Sequence, residues 1–137
     1  MAMKLVIGTK EGKCYQKELS AQEAEALNGK VLGETINGEL IGISGVELEL
    51  RGGSDIDGFP MRKDFHGPMR KKILLSKGTG FNGKLRGKRF GGLRVKKTIC
   101  GNEIHSKIHQ VNAKVVKGEK AVEKAFAPAE EETPKGE

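Results

Sequence analysis

Glycine sets the first limit on this chain. It fills 20 of the 137 positions, far more than a helical domain carries, because an interior glycine costs a helix about 1 kcal/mol relative to alanine. Glycines fall between short apolar segments, which predicts turns, bulges and places where backbone passes close to something. The expected fold is mainly β. It is a small single-domain β-barrel-like fold of short strands over residues 1–126, with one short helix, a long basic loop or arm within residues 62–97 and a flexible, disordered acidic tail at 127–137.

Periodicity supplies the elements. Residues 3–8 (MKLVIG) read as a strand, residues 10–12 as a turn, and residues 13–19 as the hairpin partner. Ser20 with Glu23 has capping-box spacing and opens a short helix over residues 21–27, stopped by Asn28-Gly29. Further apolar segments lie at residues 31–32, 40–43 and 46–50, with Asn37-Gly38 as a tight-turn signal between two of them. Strands are also expected at residues 71–75, 93–100 and 108–116. Cys14 and Cys100 form no CxxC pattern and read as buried small hydrophobes in a reducing compartment. No apolar run is long enough for a signal peptide or membrane span, so a cytoplasmic protein with no membrane contact is expected.

Charge is strongly blocked along the chain. Residues 1–50 hold 5 Lys/Arg against 8 Asp/Glu, residues 51–120 hold 18 against 5, and the last 17 residues hold 2 against 5. A basic block of that size, interleaved with Gly and Phe, suits a polyanion such as RNA better than an ordinary solvated face. Residues 62–97 contain 13 Lys/Arg and one acid, Asp64. An extended arm with that charge would repel itself until phosphates neutralised it, so it is expected to order on assembly. Phe81 and Phe90 could each stack on an unpaired base or anchor the arm to the domain.

Ahead of the basic block stands LRGGSDIDGFPM, residues 50–61. Two adjacent glycines allow close approach of another backbone, while Ser54, Asp55 and Asp57 can hold turns. Pro60 stiffens the exit and biases Phe59 toward an extended conformation. The expected result is a rigid docking loop presenting Gly52, Gly53, Ser54, Asp55 and residues 58–61. Asp55 and Asp57 as a metal or acid/base pair is a weak reading, because no EF-hand pattern or catalytic partner accompanies them.

A strand followed by GGSDxxGFPM resembles the hallmark of the S6e family, small-subunit ribosomal proteins of archaea and eukaryotes. Other matching stretches run in order: residues 3–8, 42–45 (GISG), 73–78 (ILLSKG), the basic block to Lys97, and 110–118 (QVNAKVVKG). The likeness covers about residues 3–126. A short acidic tail stands where eukaryotic members carry a long basic helix with phosphorylated serines, so the chain is similar to the archaeal form and that regulation does not carry over. The resemblance implies a structural, non-catalytic role on the ribosome, contact with small-subunit ribosomal RNA and neighbouring ribosomal proteins, and one copy per ribosome.

The expected RNA contacts are Arg51, Gly52, Gly53, Phe59, Arg62, Lys63, Arg70, Lys71, Lys72, Lys77, Lys84, Arg86, Lys88, Arg89, Arg94, Lys96 and Lys97. They would act through backbone and shape rather than base sequence. No cofactor, metal or small-molecule substrate is expected. His105 and His109 have i, i+4 spacing but no completing ligand, and Ser76-Lys77 lacks the spacing of a catalytic pair. His66 reads as a loop or RNA contact. The rival readings are a component of an RNA-processing or modification complex, and a module binding an acidic protein.

Overall fold

The computed structural model describes residues 2–127, so nearly all of the tail expected over residues 127–137 lies outside the described residues. Strands β1 (Lys4–Gly8) and β2 (Cys14–Glu18) form an antiparallel hairpin with Lys4 opposite Glu18. Alternation in KLVIG turns Leu5 and Ile7 inward, where both are fully buried. Helix α1 (Ala21–Leu27) opens with the expected capping box. Glu23 N–H donates to Ser20 Oγ at 3.4 Å, and Ser20 N–H donates to Glu23 Oε2 at 2.8 Å. Lys17 Nζ donates to Glu23 Oε1 at 2.7 Å and also to the Ile41 carbonyl, tying the helix to the loop beyond.

Strand β3 (Thr35–Asn37) and the long β4 (Glu47–Asp55) are joined through a 3-10 turn at Gly38–Ile41. Then follow β5 (Arg70–Leu75), β6 (Lys84–Leu85), β7 (Lys88–Arg89), β8 (Val95–Cys100), β9 (Ile108–Lys117) and helix α2 (Glu119–Phe126). Five strands form one sheet in the order β2-β1-β9-β4-β3. The last strand of the described residues, β9, is its centre, parallel to β1 and antiparallel to β4. The sheet therefore stays open, with β2 and β3 at its edges, and the mainly-β domain is not a closed barrel.

Beneath this sheet lies the larger core, in which Leu5, Ile7, Leu27, Leu48, Val111 and Val115 are completely buried. A separate smaller cluster of Leu75, Phe81 and Ile99, supported by Phe65, Ile73, Leu93 and Val95, packs beside the β5–β8 pair. The basic segment is thus a folded lobe with its own apolar centre, not the extended arm that its charge suggested. Alternating Ile73, Leu75, Val95 and Ile99 give it enough apolar area to fold around.

Three other expectations change. Asn37-Gly38 makes no two-residue hairpin. Gly38 is needed for packing, because a Cβ there would lie 2.3 Å from the Ile43 carbonyl, and the connection runs over residues 38–46. Residues 40–43 accordingly hold part of a 3-10 turn instead of a strand. Helix α2 is a second helix beyond the one expected; it buries Val122 and stacks Phe126 on Tyr15, ring centroids 5.3 Å apart. Finally, the cysteines differ: Cys100 is buried as expected, but Cys14 is exposed on edge strand β2, and both are free thiols.

Candidate nucleic-acid interface

The hallmark glycines lie in a strand. β4 runs through Asp55, so Gly52 and Gly53 pair with Asn112 and Val111 of β9 where a docking loop was expected. Between Leu50 and Gly52 the register slips by one residue, which leaves Arg51 unpaired as a bulge. Its exposed side chain lies 3.4 Å from Glu49. The two glycines have different jobs. A Cβ on Gly53 would lie 2.5 Å from the Gln110 carbonyl oxygen and 3.0 Å from Met61 Sδ, whereas one on Gly52 would meet open space. Gly53 admits a neighbouring strand; Gly52 leaves bare backbone facing a groove shared with Arg51, Lys63 and Asn112.

Past β4 the chain reverses tightly, and Asp55 holds the reversal. Its Oδ1 accepts from the amides of Asp57 (2.9 Å) and Phe59 (3.2 Å), and Gly58 takes a φ of 85°. Its Oδ2 accepts from Arg70 Nε at 2.5 Å and from the Cys100 thiol at 3.1 Å. Burial alone would raise the carboxyl pKa. The bonds from Cys100, Arg70 and the two amides outweigh it and hold Asp55 below the usual carboxylate range. Burial, and then the Asp55 carboxylate, push the Cys100 thiol up to about 12, so it stays protonated and donates. Arg70 also pairs with Asp57 and lies over the Phe59 ring, 5.0 Å from its centroid. Arg70 and Phe59, both expected at the RNA, pack against each other, with Arg70 exposed and Phe59 partly buried.

Residues 60–62 connect the sheet to the lobe. Met61 N–H donates to the Gly53 carbonyl (2.9 Å), Cys100 N–H to Pro60 (2.9 Å) and Arg62 N–H to Cys100 (3.1 Å). Arg62 is partly buried, donating to the Thr79 carbonyl at 2.8 Å and to Asp64 at 2.7 Å. Asn102 is a residue that pattern reading missed. Buried at the end of the lobe, it receives Gly67 N–H at its Oδ1 and holds its own Nδ2 within 3.2 Å of His66 Nδ1. Gly101 beside it has no room for a Cβ, which would fall 1.7 Å from the Gly67 carbonyl. A Gly-Asn dipeptide after an apolar strand was the available signal.

The remaining cations stand outward. In the β5–β8 register, Lys72 faces Thr98 and Leu74 faces Lys96, so both lysines share the face opposite the lobe's apolar cluster. β6 and β7 form a tiny hairpin, Lys84 opposite Arg89, turning at Arg86 (φ 52°) and Gly87 (φ 79°). Two successive positive φ values match the tight turn that suits strand twist. Lys63, Lys71, Lys72, Lys77, Lys84, Arg86, Lys88, Arg89, Arg94 and Lys96 make no ion pair among the described residues, and each is exposed. Lys97 lies 5.9 Å from the ring centroid of Phe81. Among the described residues no group of three or more His, Cys, Asp or Glu could hold a metal; His109 lies on β9 and His105 in the loop before it.

Comparison with known proteins finds relatives along most of the chain. A family profile described as Ribosomal protein S6e matches residues 3–127. The small ribosomal subunit protein eS6 of Methanosphaera stadtmanae is 41% identical over 133 residues, covering 96% of this chain and 98% of that protein. Its counterpart in Methanocaldococcus jannaschii is 43% identical over 119 residues, covering 86% of this chain and 85% of that one. The counterpart in Methanococcus maripaludis strain C7 is 43% identical over 117 residues, 85% and 88% respectively.

Proposed function

The chain belongs to the ribosomal protein S6e family, and from that premise we propose that it grips small-subunit ribosomal RNA through its β5–β8 lobe and the β6–β7 hairpin. It is a structural constituent of the small ribosomal subunit, not an enzyme. One observation carries the proposed surface: eleven exposed Lys/Arg on or beside the lobe, Lys97 included, have no carboxylate partner among the described residues, and Asp64, the one acid of residues 62–97, is paired with Arg62. Cations held apart on a folded scaffold gain most from phosphates, which release condensed counterions when neutralised. Arg51, beside Gly52 at the bulge, extends the surface toward the five-stranded sheet.

Within this reading Arg62, Arg70 and Phe59 act by shaping the surface. The outward cations touch phosphate, so recognition is by backbone and shape. We further place the protein on cytoplasmic ribosomes, one copy per small subunit, beside other ribosomal proteins. Filter binding of the full chain to small-subunit ribosomal RNA across a salt series tests the surface. With about six phosphates engaged, log K should fall with log salt at a slope of roughly −4 to −5. A slope near zero would refute it. Retention on the small subunit after a high-salt wash tests the placement, and a purely free pool would count against it.

A further inference from the structure

The two phenylalanines that sequence reading could not tell apart have separate fates. Phe81 is 5% exposed and forms the centre of the lobe, whereas Phe90 is 53% exposed. Phe90 sits where the chain leaves β7, at the corner of a turn in which Leu93 N–H reaches the Phe90 carbonyl at 3.4 Å. A groove opens beside it, lined by Lys77, Arg89, Gly91, Gly92 and the partly buried Leu93. The aliphatic part of Lys77 is held against Gly83, where an added Cβ would approach it to 3.2 Å, so the lysine is positioned by packing.

We propose that this groove seats one unpaired nucleobase of the RNA, stacked on Phe90, with the flanking phosphates on Lys77 and Arg89. The inference rests on the RNA-binding reading above and adds the kind of RNA element recognised. A half-exposed ring on a solvated hairpin buries its face most fully against another flat surface, and Gly91 and Gly92, where an added Cβ would meet open space, leave room for one. Lys77 and Arg89 make the groove cationic, and no carboxylate lines it among the described residues, so the charge fits a nucleotide better than an apolar side chain. Paired bases already have both faces covered, hence the occupant is a base in a loop, bulge or end. Stacking is indifferent to base identity, consistent with recognition that does not read sequence.

The test uses the full chain with two RNA probes, a short oligoadenylate single strand and an RNA duplex of equal length, each titrated over several salt concentrations. Phe90→Ala should weaken single-strand binding by roughly five- to a hundredfold. Its log-salt slope and its duplex affinity should match those of the native chain. Phe90→Trp should keep single-strand affinity, and because the chain has no other Trp its emission should be quenched by oligoadenylate alone. Unchanged single-strand affinity in Phe90→Ala, or equal loss on both probes, would overturn the base seat and leave the phosphate surface standing. Failure of the native chain to bind either probe with a salt slope would overturn both readings.

Discussion

Arg70, on β5, reaches the Asp55 carboxylate at the end of β4 with its Nε 2.5 Å from Oδ2, and that contact clamps the basic lobe to the central sheet. The same carboxylate accepts two backbone amides and a thiol. Asp55→Ala therefore removes four acceptor contacts at a site that is 2% exposed, and should lower stability by about 2–3 kcal/mol in urea unfolding. Arg70→Met should cost less, since Arg70 is partly solvated and the amides keep their acceptor. Equal stability of Asp55→Ala and the native chain would remove the clamp from the account.

Acid should loosen the protein through the same carboxyl. Its folded pKa is depressed, so its stabilisation is present above the unfolded value near 3.9 and fades as pH falls through the lower folded value. Unfolding midpoints measured from pH 6 to pH 2 should drop below about pH 4 in the native chain, and more shallowly in Asp55→Asn. Parallel curves would assign the acid limb to other groups.

The thiols should part company in labelling. Cys14 is exposed and should react with a thiol reagent under native conditions, while Cys100 should react only on unfolding. Because the Cys100 thiol is raised to about 12, its contribution holds below the unfolded value near 8.5 and is lost as pH climbs toward the folded one. Two fast-reacting thiols at pH 8 would contradict this.

Adjacent glycines of the hallmark should respond differently to one methyl group. Gly53→Ala drives a Cβ into the Gln110 carbonyl and should cost about 1–3 kcal/mol. Gly52→Ala points into open space and should stay within about 0.5 kcal/mol. Comparable losses at both positions in thermal unfolding would mean that neither glycine is set by packing.

Arg86 holds a left-handed conformation at the hairpin tip, where Asn or Gly is the easier residue. Arg86→Asn should raise stability by roughly 0.5–1 kcal/mol while flattening the log-salt slope for RNA by about one. Gain in stability with unchanged salt dependence would take Arg86 off the RNA surface.

Much of this architecture was legible in the chain itself, for local reasons. Ser20 and Glu23 mark α1 because the capping box closes within one turn, and KLVIG marks β1 because alternation needs only five residues. The family resemblance likewise stands on a contiguous motif. What stayed hidden depends on partners distant in sequence. The hallmark glycines read as a loop because only β9 makes them a strand, and the pairing of Arg70 with Asp55 went unseen because its carboxylate lies 15 residues earlier. Helix α2 escaped notice because its eight residues gain their place from Tyr15 and the β1–β2 hairpin. Phe81 and Phe90 share a local context of glycine and charge, so only the fold separates them.

The position of β9 has a consequence for how the protein is made. It is the last strand of the described residues and the central one in the sheet, so without it the sheet falls into two separate hairpins, β1–β2 and β3–β4. The basic lobe, built from residues 60–102, lies ahead of β9 in the chain. Until β9 joins the sheet, the edges of β1 and β4 that it covers are bare, an arrangement open to edge-to-edge aggregation, while the cationic lobe stands ready for stray RNA. Residues 108–117 cover both edges at once, β1 on one side and β4 on the other.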